Sequence, residues 1–389
     1  MTPGNLAAFP RHRLAAPGPV EVPPAVLEAI ARPVLHHRTD AFAALLLAVR
    51  PRLAEIAGVT GDVVVLPGNG TVAFEALFLS AVPEGMPVVS VHAGKFGERW
   101  AALARRHGHA VTDVTAPWGE RVDPQQVADA VSAHGGPVAV TLVHSETSTG
   151  VLHDVAAQAA AVRAVSPDAV ILTDVVTSLG VTDLHPEAWG LDGIAAGSQK
   201  GLLLPPGMGF VWMAERLADG DNAARTLALD MHAERKQQRQ GKTATTPPVN
   251  LIAGLQVALD GLLRDGVETL WARRRALNDA LIAGATAAGL TPYASHPSPA
   301  TAAMRVPNSL DARDVTRAMA ARGVRIAGGQ GETASYVLRP SALGWTDEAD
   351  VYGVLSLLES VLGDLGVPVQ PGAAAAAAQG VFADVNLPS

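Results

Sequence analysis

The chain contains no cysteine and very little lysine. The absence of cysteine from its 389 residues excludes disulfides, thiolate metal sites, iron–sulfur ligation and cysteine nucleophiles. Only four of the 29 Lys and Arg residues are lysines: Lys95, Lys200, Lys236 and Lys242. Because arginine serves wherever a plain cation is needed, each of the few lysines suggests a chemical role. Lys200 suggests one most strongly, since it lies between small residues and an apolar run in "AAGSQKGLLLPPG" (195–207).

Long apolar runs and a positive net charge are also missing. The longest apolar run, 41–49, has nine residues, whereas a membrane-spanning helix needs about 20. The N-terminus lacks the apolar region of a signal peptide after Arg11 and Arg13, so we expect a cytoplasmic protein. A net charge of -8 opposes binding to a polyanion. We therefore expect neither a membrane nor a nucleic acid as partner.

The pattern of the remaining residues predicts an α/β fold. From about residue 60 to 215, strand-like runs alternate with segments whose apolar residues recur at helical spacing. The predicted strands are 62–66, 88–91, 138–144, 169–174, 193–198 and 209–214. This alternation is typical of a mostly parallel sheet covered by helices on both faces, with ligands at the carboxyl ends of its strands.

The chain length and composition predict more than one domain. We expect an N-terminal arm (1–15), a large α/β domain (16–265) and a smaller C-terminal α+β domain with antiparallel strands (266–367). A connecting helix is predicted over about 248–288. The alanine-rich, low-complexity tail (368–389) is interpreted as a frayed end rather than a helix.

A glycine-rich turn follows the first strand of the predicted sheet. In "GNGTVAFEA" (68–76), Gly68 and Gly70 permit a tight turn, while Thr71 and the first N–H groups of the next helix can face an anion. The turn also matches the dinucleotide pattern G-x-G-x-x-A, but the next strand lacks the acidic residue that a ribose requires. A turn without a ligand remains an alternative.

Two charged residues end neighbouring strands. Asp174 ends an apolar strand, where an unpaired carboxylate loses several kcal/mol of solvation, so it needs a cationic partner unless it merely caps the following segment. Lys200 follows the next strand. An acid, a lysine and an anion cradle match the needs of pyridoxal 5'-phosphate: a Schiff base with the amine, a carboxylate at the pyridine nitrogen and a site for the phosphate.

Three motifs then resemble one family. "HSETSTG" (144–150), "TDVVTSLG" (173–180) and "GSQKGLLLPPG" (197–207) are similar, in the same order, to motifs of the class V aminotransferases of fold type I, especially the alanine–glyoxylate and serine–pyruvate group. The resemblance extends from "APGPVEVPP" (16–24) to about residue 365. It implies a pyridoxal 5'-phosphate enzyme that moves an amino group from a small amino acid to a 2-oxo acid.

The resemblance also implies roles for individual residues. Lys200 is implied as the Schiff-base lysine and Asp174 as the partner of the pyridine nitrogen. The other implied cofactor contacts lie in the glycine-rich turn, in the family motifs and in "AGKFGERW" (93–100), where Phe96 takes the place of a more common Trp or Tyr: Asn69, Gly70, Thr71, Phe96, Thr147, Val176 and Gln199.

Substrate and subunit contacts are implied in the same way. Gly18 and Arg339 are implied to bind substrate, although Pro340 and Ser341 replace the Ile and Gly that follow the arginine in the family. Thr246 in "TATTPPV" is implied to reach the phosphate of a neighbouring subunit, which predicts a homodimer.

Other functions stay open at this point. A lyase or decarboxylase on the same fold would use the same cofactor. An NAD-dependent dehydrogenase would use the glycine-rich turn but leaves Lys200 unexplained, and a non-catalytic binding protein is a further alternative. The lack of cysteine excludes the usual chemistry of a cysteine desulfurase. His36 and His37 have no second cluster at metal-ligand spacing, so no metal site is predicted.

Overall fold

A computed structural model describes residues 12–218 and 226–384. Most of the predicted N-terminal arm (1–11) and the last residues of the tail (385–389) therefore lie outside the described residues. The strands are β1 Arg13–Leu14, β2 Val63–Gly68, β3 Val88–His92, β4 Val111–Thr115, β5 Ala139–Val143, β6 Ser145–Glu146, β7 Val151–Leu152, β8 Val170–Asp174, β9 Gly193–Gly197, β10 Gly207–Met213, β11 Thr291–Pro292, β12 Met304–Arg305, β13 Val324–Arg325, β14 Ala327–Gly328 and β15 Val337–Arg339.

The α-helices mostly alternate with these strands in the first half of the chain and dominate the second half. They are α1 Pro24–Ile30, α2 Asp40–Ala57, α3 Gly70–Ala81, α4 Lys95–Arg106, α5 Pro124–Ser132, α6 Val155–Val165, α7 Glu215–Ala218, α8 Met231–Gln238, α9 Val249–Leu262, α10 Val267–Ala287, α11 Ala312–Ala321, α12 Glu348–Asp364 and α13 Ala373–Asp384.

A seven-stranded sheet forms the centre of the large α/β region, in the order β2-β10-β9-β8-β5-β3-β4. All neighbouring pairs are parallel except the two that involve β10, which runs antiparallel to β2 and β9. The fold class predicted from the sequence, a mostly parallel sheet with helices, is confirmed. The edge strand β4 was not predicted, because its residues are largely exposed and do not form an apolar run.

Alternate residues of the strands pack on opposite faces of this sheet, as strand geometry requires. Val63 and Val65 of β2 join one core, with α2, α6 and α9. Val64 and Leu66 join a second core on the other face, with α3, α4 and α8. Burial on both faces explains why the strands read as continuous apolar runs in the sequence.

The C-terminal region has a core of its own. A four-stranded sheet in the order β11-β12-β15-β14 is antiparallel throughout, and α10 to α13 supply apolar side chains to the core beside it. The predicted connecting helix is two helices, α9 and α10, interrupted before Gly266, whose φ of 84° is unfavourable for residues with a side chain.

Both ends of the described chain pack against this C-terminal region. β1 pairs with β13, so Arg13 and Leu14 of the predicted arm extend a small sheet. The interpretation of the tail as a frayed end was wrong for residues 373–384, which form α13. Ala374 and Ala378 are fully buried, because small side chains at helical spacing let α13 approach α10 closely. Over the described residues, no helix combines the length and apolar character needed to cross a membrane.

Candidate active site

A cleft of about 160 Å³ opens at the carboxyl edge of the central sheet. Parallel strands end at this edge, so the polar residues that follow β2, β5, β8 and β9 converge there. Nine of the ten predicted cofactor contacts line the cleft together with Arg99, Trp100, Ser145 and Thr177: Asn69, Gly70, Thr71, Phe96, Thr147, Asp174, Val176, Gln199 and Lys200. Thr246 instead lies exposed in the segment before α9.

The Asp174 carboxylate is buried and accepts two neutral hydrogen bonds. The indole N–H of Trp100 donates to Oδ2 (2.6 Å), and the backbone N–H of Val176 donates to Oδ1 (2.8 Å). Burial raises the pKa of the Asp174 carboxyl to about 7, although both hydrogen bonds and the charge of Lys200 oppose the rise. The carboxylate is therefore poised to gain a cationic partner from a ligand.

The Lys200 amine lies in the same cleft but is hydrogen-bonded to a different group. Its Nζ donates to the carbonyl of Pro17 (2.7 Å). Burial, followed by the positive charge of Arg339, lowers the pKa of Lys200 to about 8. A substantial fraction of the amine is thus neutral, and nucleophilic, near physiological pH.

Gly18 leaves room for the Lys200 side chain because it has no Cβ atom. Its φ is +121°, and a Cβ atom built at this position would lie 2.5 Å from both Nζ and Cδ of Lys200. The structure thus places Gly18 against the lysine itself, whereas the resemblance implies a contact with substrate.

The glycine-rich turn caps α3 with its own side chain. Oδ1 of Asn69 accepts hydrogen bonds from the backbone N–H groups of Thr71 (2.9 Å) and Val72 (3.2 Å). Two of the N–H groups expected to face an anion are therefore already bonded. Gly70 is required because a Cβ atom there would lie 2.4 Å from Val176.

Helix α4 contributes two cleft residues that sequence reasoning missed. Phe96, Arg99 and Trp100 lie on one face of α4 at i, i+3 and i+4. The guanidinium of Arg99 lies 5.1 Å from the Phe96 ring centroid and donates to Oγ1 of Thr71 (3.2 Å). Helical spacing from Phe96 is the signal that could have identified both Arg99 and Trp100.

The start of α4 is fixed by a buried carboxylate that was also missed. Oε2 of Glu146 accepts from the backbone N–H groups of Phe96 and Gly97 (both 3.0 Å). Oε1 accepts from the backbone N–H of Ser148 (3.0 Å), whose hydroxyl in turn accepts from the Lys95 N–H (2.9 Å). Burial raises the pKa of Glu146, and these bonds oppose the rise.

Arg339 joins the C-terminal sheet to the cleft. It is only 5% exposed, and its Nε and Nη1 donate to the carbonyls of Gly328 (2.8 Å) and Thr147 (2.7 Å). Burial lowers the pKa of Arg339 to about 10, so the guanidinium stays charged at neutral pH. Two of its five N–H donors are used in these bonds.

The two departures from the family pattern after Arg339 have structural partners. The Ser341 hydroxyl donates to the carbonyl of Ala300 (2.6 Å), and its backbone N–H donates to the carbonyl of Ala15 (3.0 Å). The carbonyl of Pro340 accepts from the N–H of Ala302 (2.9 Å). The backbone after the arginine is thus held on both sides.

Comparison with known proteins assigns the family. The family model described as aminotransferase class-V matches residues 18–346. The chain belongs to this family, as the motifs predicted, and is a class V aminotransferase with pyridoxal 5'-phosphate as its cofactor. The alternative of an NAD-dependent dehydrogenase is thereby excluded.

Individual relatives are similar over nearly the whole chain. The L-aspartate–glyoxylate aminotransferase of Paracoccus denitrificans is 32% identical over 93% of this chain and 94% of that protein. The soluble hydrogenase small subunit of a Synechococcus species is 34% identical over 95% and 98%. Among solved structures, the subgroup IV aspartate aminotransferase of Thermus thermophilus has a TM-score of 0.85 at 37% identity, covering 91% of this chain and 99% of that one.

The cleft fits this cofactor chemically. It offers a buried amine of lowered pKa and a buried carboxylate that lacks a directly bonded cation in the described chain. It also contains the buried Oε1 of Gln199, which has no hydrogen-bond partner among the described residues. An unpartnered buried polar atom costs about 1–3 kcal/mol and indicates that a polar ligand completes the site.

Gly18→Ala should impair cofactor binding without unfolding the protein. The new methyl group would displace the Lys200 amine and strain the backbone, at a cost of about 1–3 kcal/mol. We expect the Kd of the apo-protein for pyridoxal 5'-phosphate, followed by cofactor absorbance, to rise about tenfold or more. Gly85→Ala is the matched control, since φ is +76° there but no atom lies within 4 Å of the added Cβ. Equal loss of affinity in both variants would contradict the contact with Lys200.

Proposed function

We propose that this enzyme transfers the amino group of a small amino acid, of the alanine or serine type, to a 2-oxo acid of the glyoxylate or pyruvate type. Lys200 is the residue that bonds covalently to the cofactor. The observation that carries this proposal is a cleft lined by the half-buried Lys200 and the buried Asp174, with the buried Arg339 hydrogen-bonded to Thr147 in the cleft lining.

Two of these residues act at opposite parts of the cofactor. When bound, pyridoxal 5'-phosphate supplies a ring that withdraws electrons from the substrate Cα. Asp174 would accept a hydrogen bond from the pyridine nitrogen and hold a proton on that atom. The Lys200 amine, with its lowered pKa, would take the proton from the substrate Cα and give it back during transfer of the amino group. Phe96 and Val176 would hold the ring between them, and the Thr147 hydroxyl would contact the ring oxygen.

The phosphate group would be held at the start of α3. Asn69 shapes the turn, Gly70 would allow close approach, and Thr71 and Gln199 would donate hydrogen bonds. Arg99 supports this location, because its guanidinium already contacts Thr71 and brings a positive charge to the turn. Thr246 of a second subunit would complete the phosphate site.

Arg339 binds the α-carboxylate that donor and acceptor share. Its planar guanidinium can hold a carboxylate through two charge-assisted hydrogen bonds. Its closeness to Lys200 supports this role, since the charge of Arg339 is the second largest cause of the lowered pKa of that amine. A substrate held there presents its Cα to the lysine.

Lys200→Ala should abolish both the covalent bond and turnover. With the wild type, borohydride reduction should fix the cofactor to the Lys200 peptide, and alanine plus glyoxylate should give pyruvate plus glycine. The variant should lose the adduct, and its rate should fall by about 10³-fold. Lys236→Ala, at an exposed lysine, is the control. A reduced adduct on another lysine would refute the assignment, and release of ammonia or CO₂ without glycine would favour a lyase or decarboxylase.

Arg339→Lys and Arg339→Ala should lower kcat/KM selectively for substrates that are amino acids. Loss of the bidentate contact should lower kcat/KM for an amino acid, by an amount that corresponds to about 2–5 kcal/mol of lost transition-state stabilisation. The matching amine without a carboxylate should be affected little, and the Kd for the cofactor should be retained. If Arg339→Ala weakens both substrates equally, or neither, then the arginine is not the carboxylate anchor.

A homodimer is supported by an apolar surface next to Thr246. A groove between α1, α2 and α9 is lined by Leu35, Leu45, Val249 and Ala253, among others. Val34 and Leu47, on the adjoining surface, are 72% and 42% exposed. Contiguous apolar surface of this kind is typical of a subunit interface. Thr246 lies shortly before Val249, which is the first residue of α9 and lines the groove.

Mixing two defective variants tests whether Thr246 acts across the interface. Thr246→Asp should repel the phosphate of the partner's cofactor, and Lys200→Ala removes the reactive amine. Refolding the two variants together should restore activity, because a mixed dimer has one site with both residues intact. No restoration, or a fully active monomer in sedimentation at assay concentration, would contradict a shared site.

A further inference from the structure

We propose that Trp100 is a positioning residue that keeps the Asp174 carboxylate ionised and correctly oriented. The inference rests on the proposed role of Asp174 at the pyridine nitrogen. Trp100 is 2% exposed, and its indole N–H donates to Oδ2 of Asp174 at 2.6 Å. This is the shorter of the two hydrogen bonds that the carboxylate accepts.

The indole has little freedom to leave this position. Its ring stacks on Phe74, with centroids 3.8 Å apart and planes at 22°. The two rings belong to helices α4 and α3, which pack on the same face of the sheet. The start of α4 is held by Glu146 through the N–H groups of Phe96 and Gly97. The donor is therefore fixed at both the ring and the helix.

A fixed donor matters because the carboxylate is otherwise poorly solvated. Burial disfavours the ionised form of Asp174, and the charge of Glu146, from the strand after β5, disfavours it further. Lys200, from the loop after β9, is the cation that favours ionisation, and Arg99 and Arg339 in turn face Lys200. Trp100 and the Val176 N–H supply the hydrogen bonds that keep the charge in place.

The variant Trp100→Phe distinguishes the contribution of the indole N–H from that of the aromatic ring. Phenylalanine retains an aromatic ring for Phe74 but cannot donate, so the carboxylate should protonate at higher pH. A hydrogen bond to a charged group corresponds to a change of about one to two pH units. The affinity of the apo-protein for pyridoxal 5'-phosphate, measured as Kd at a series of pH values, should fall as the pH falls. The midpoint of this fall in affinity should lie at a higher pH, by that amount, in Trp100→Phe.

Two further variants distinguish the inference from its premise. Phe74→Leu removes the stacking partner but keeps the N–H and the hold of Glu146 on the start of α4. It should therefore reduce stability and leave the midpoint within about 0.3 pH units of wild type, well below the shift expected for loss of the hydrogen bond. Asp174→Asn should remove this midpoint, while the pH dependence that belongs to the Lys200 amine remains. A midpoint like that of wild type that survives in Asp174→Asn would overturn the role of Asp174. If Asp174→Asn removes it but Trp100→Phe leaves the midpoint unchanged, or Phe74→Leu moves it equally, the role of Trp100 is overturned.

Discussion

The Asp174 carboxylate is buried at the carboxyl edge of the sheet, and the other residues of the cleft must compensate for the solvation that it loses. A fully buried carboxylate is unstable unless donors and cations surround it, and here its pKa is raised to about 7. The donors come from α4 and from the segment after β8, and the nearest cation comes from the loop after β9. The same burial lowers the pKa of Lys200. Loss of solvent therefore shifts the pKa of the carboxyl group upward and the pKa of the amine downward in one cleft.

Contacts with distant segments hold this environment together. Lys200 donates to Pro17, and Gly18 leaves room for its side chain. The Ala15 carbonyl accepts a hydrogen bond from Ser341, which lies two residues beyond Arg339. Arg339 in turn donates to the carbonyl of Thr147, in the turn between β6 and β7. The chain before α1, the central sheet and the C-terminal sheet therefore share one hydrogen-bonded junction. Displacement of any of these segments should disturb the positions of both cations in the cleft.

Much of this arrangement could be predicted from the sequence. Apolar runs identified six strands of the central sheet, and strand ends placed Asp174 and Lys200 at one edge, because parallel strands end together. Contacts that depend on tertiary packing could not be predicted. Helical spacing from Phe96 could have identified Trp100 and Arg99, but their bonds to Asp174 and Thr71 depend on how α4 packs. Glu146 acts only once it is buried beneath that helix. The helix α13 was missed because alanine composition alone does not show that α10 offers a surface for it.

The family and the cleft limit the chemistry more firmly than the names of relatives do. One similar protein is named for aspartate and glyoxylate and another for hydrogenase activity, yet this chain has no cysteine with which to ligate an iron–sulfur cluster. Fold does not decide between substrates, since the roles proposed for Lys200 and Asp174 toward the cofactor are the same whichever substrate binds. Specificity must therefore arise where the substrate extends beyond the cofactor. The segment around Arg339 is one place where this chain departs from the family pattern, and Ser341 ties that segment to Ala15 and Ala300. Pro340 and Ser341, in place of Ile and Gly, thus fix the backbone beside Arg339, the residue that we propose binds the substrate carboxylate.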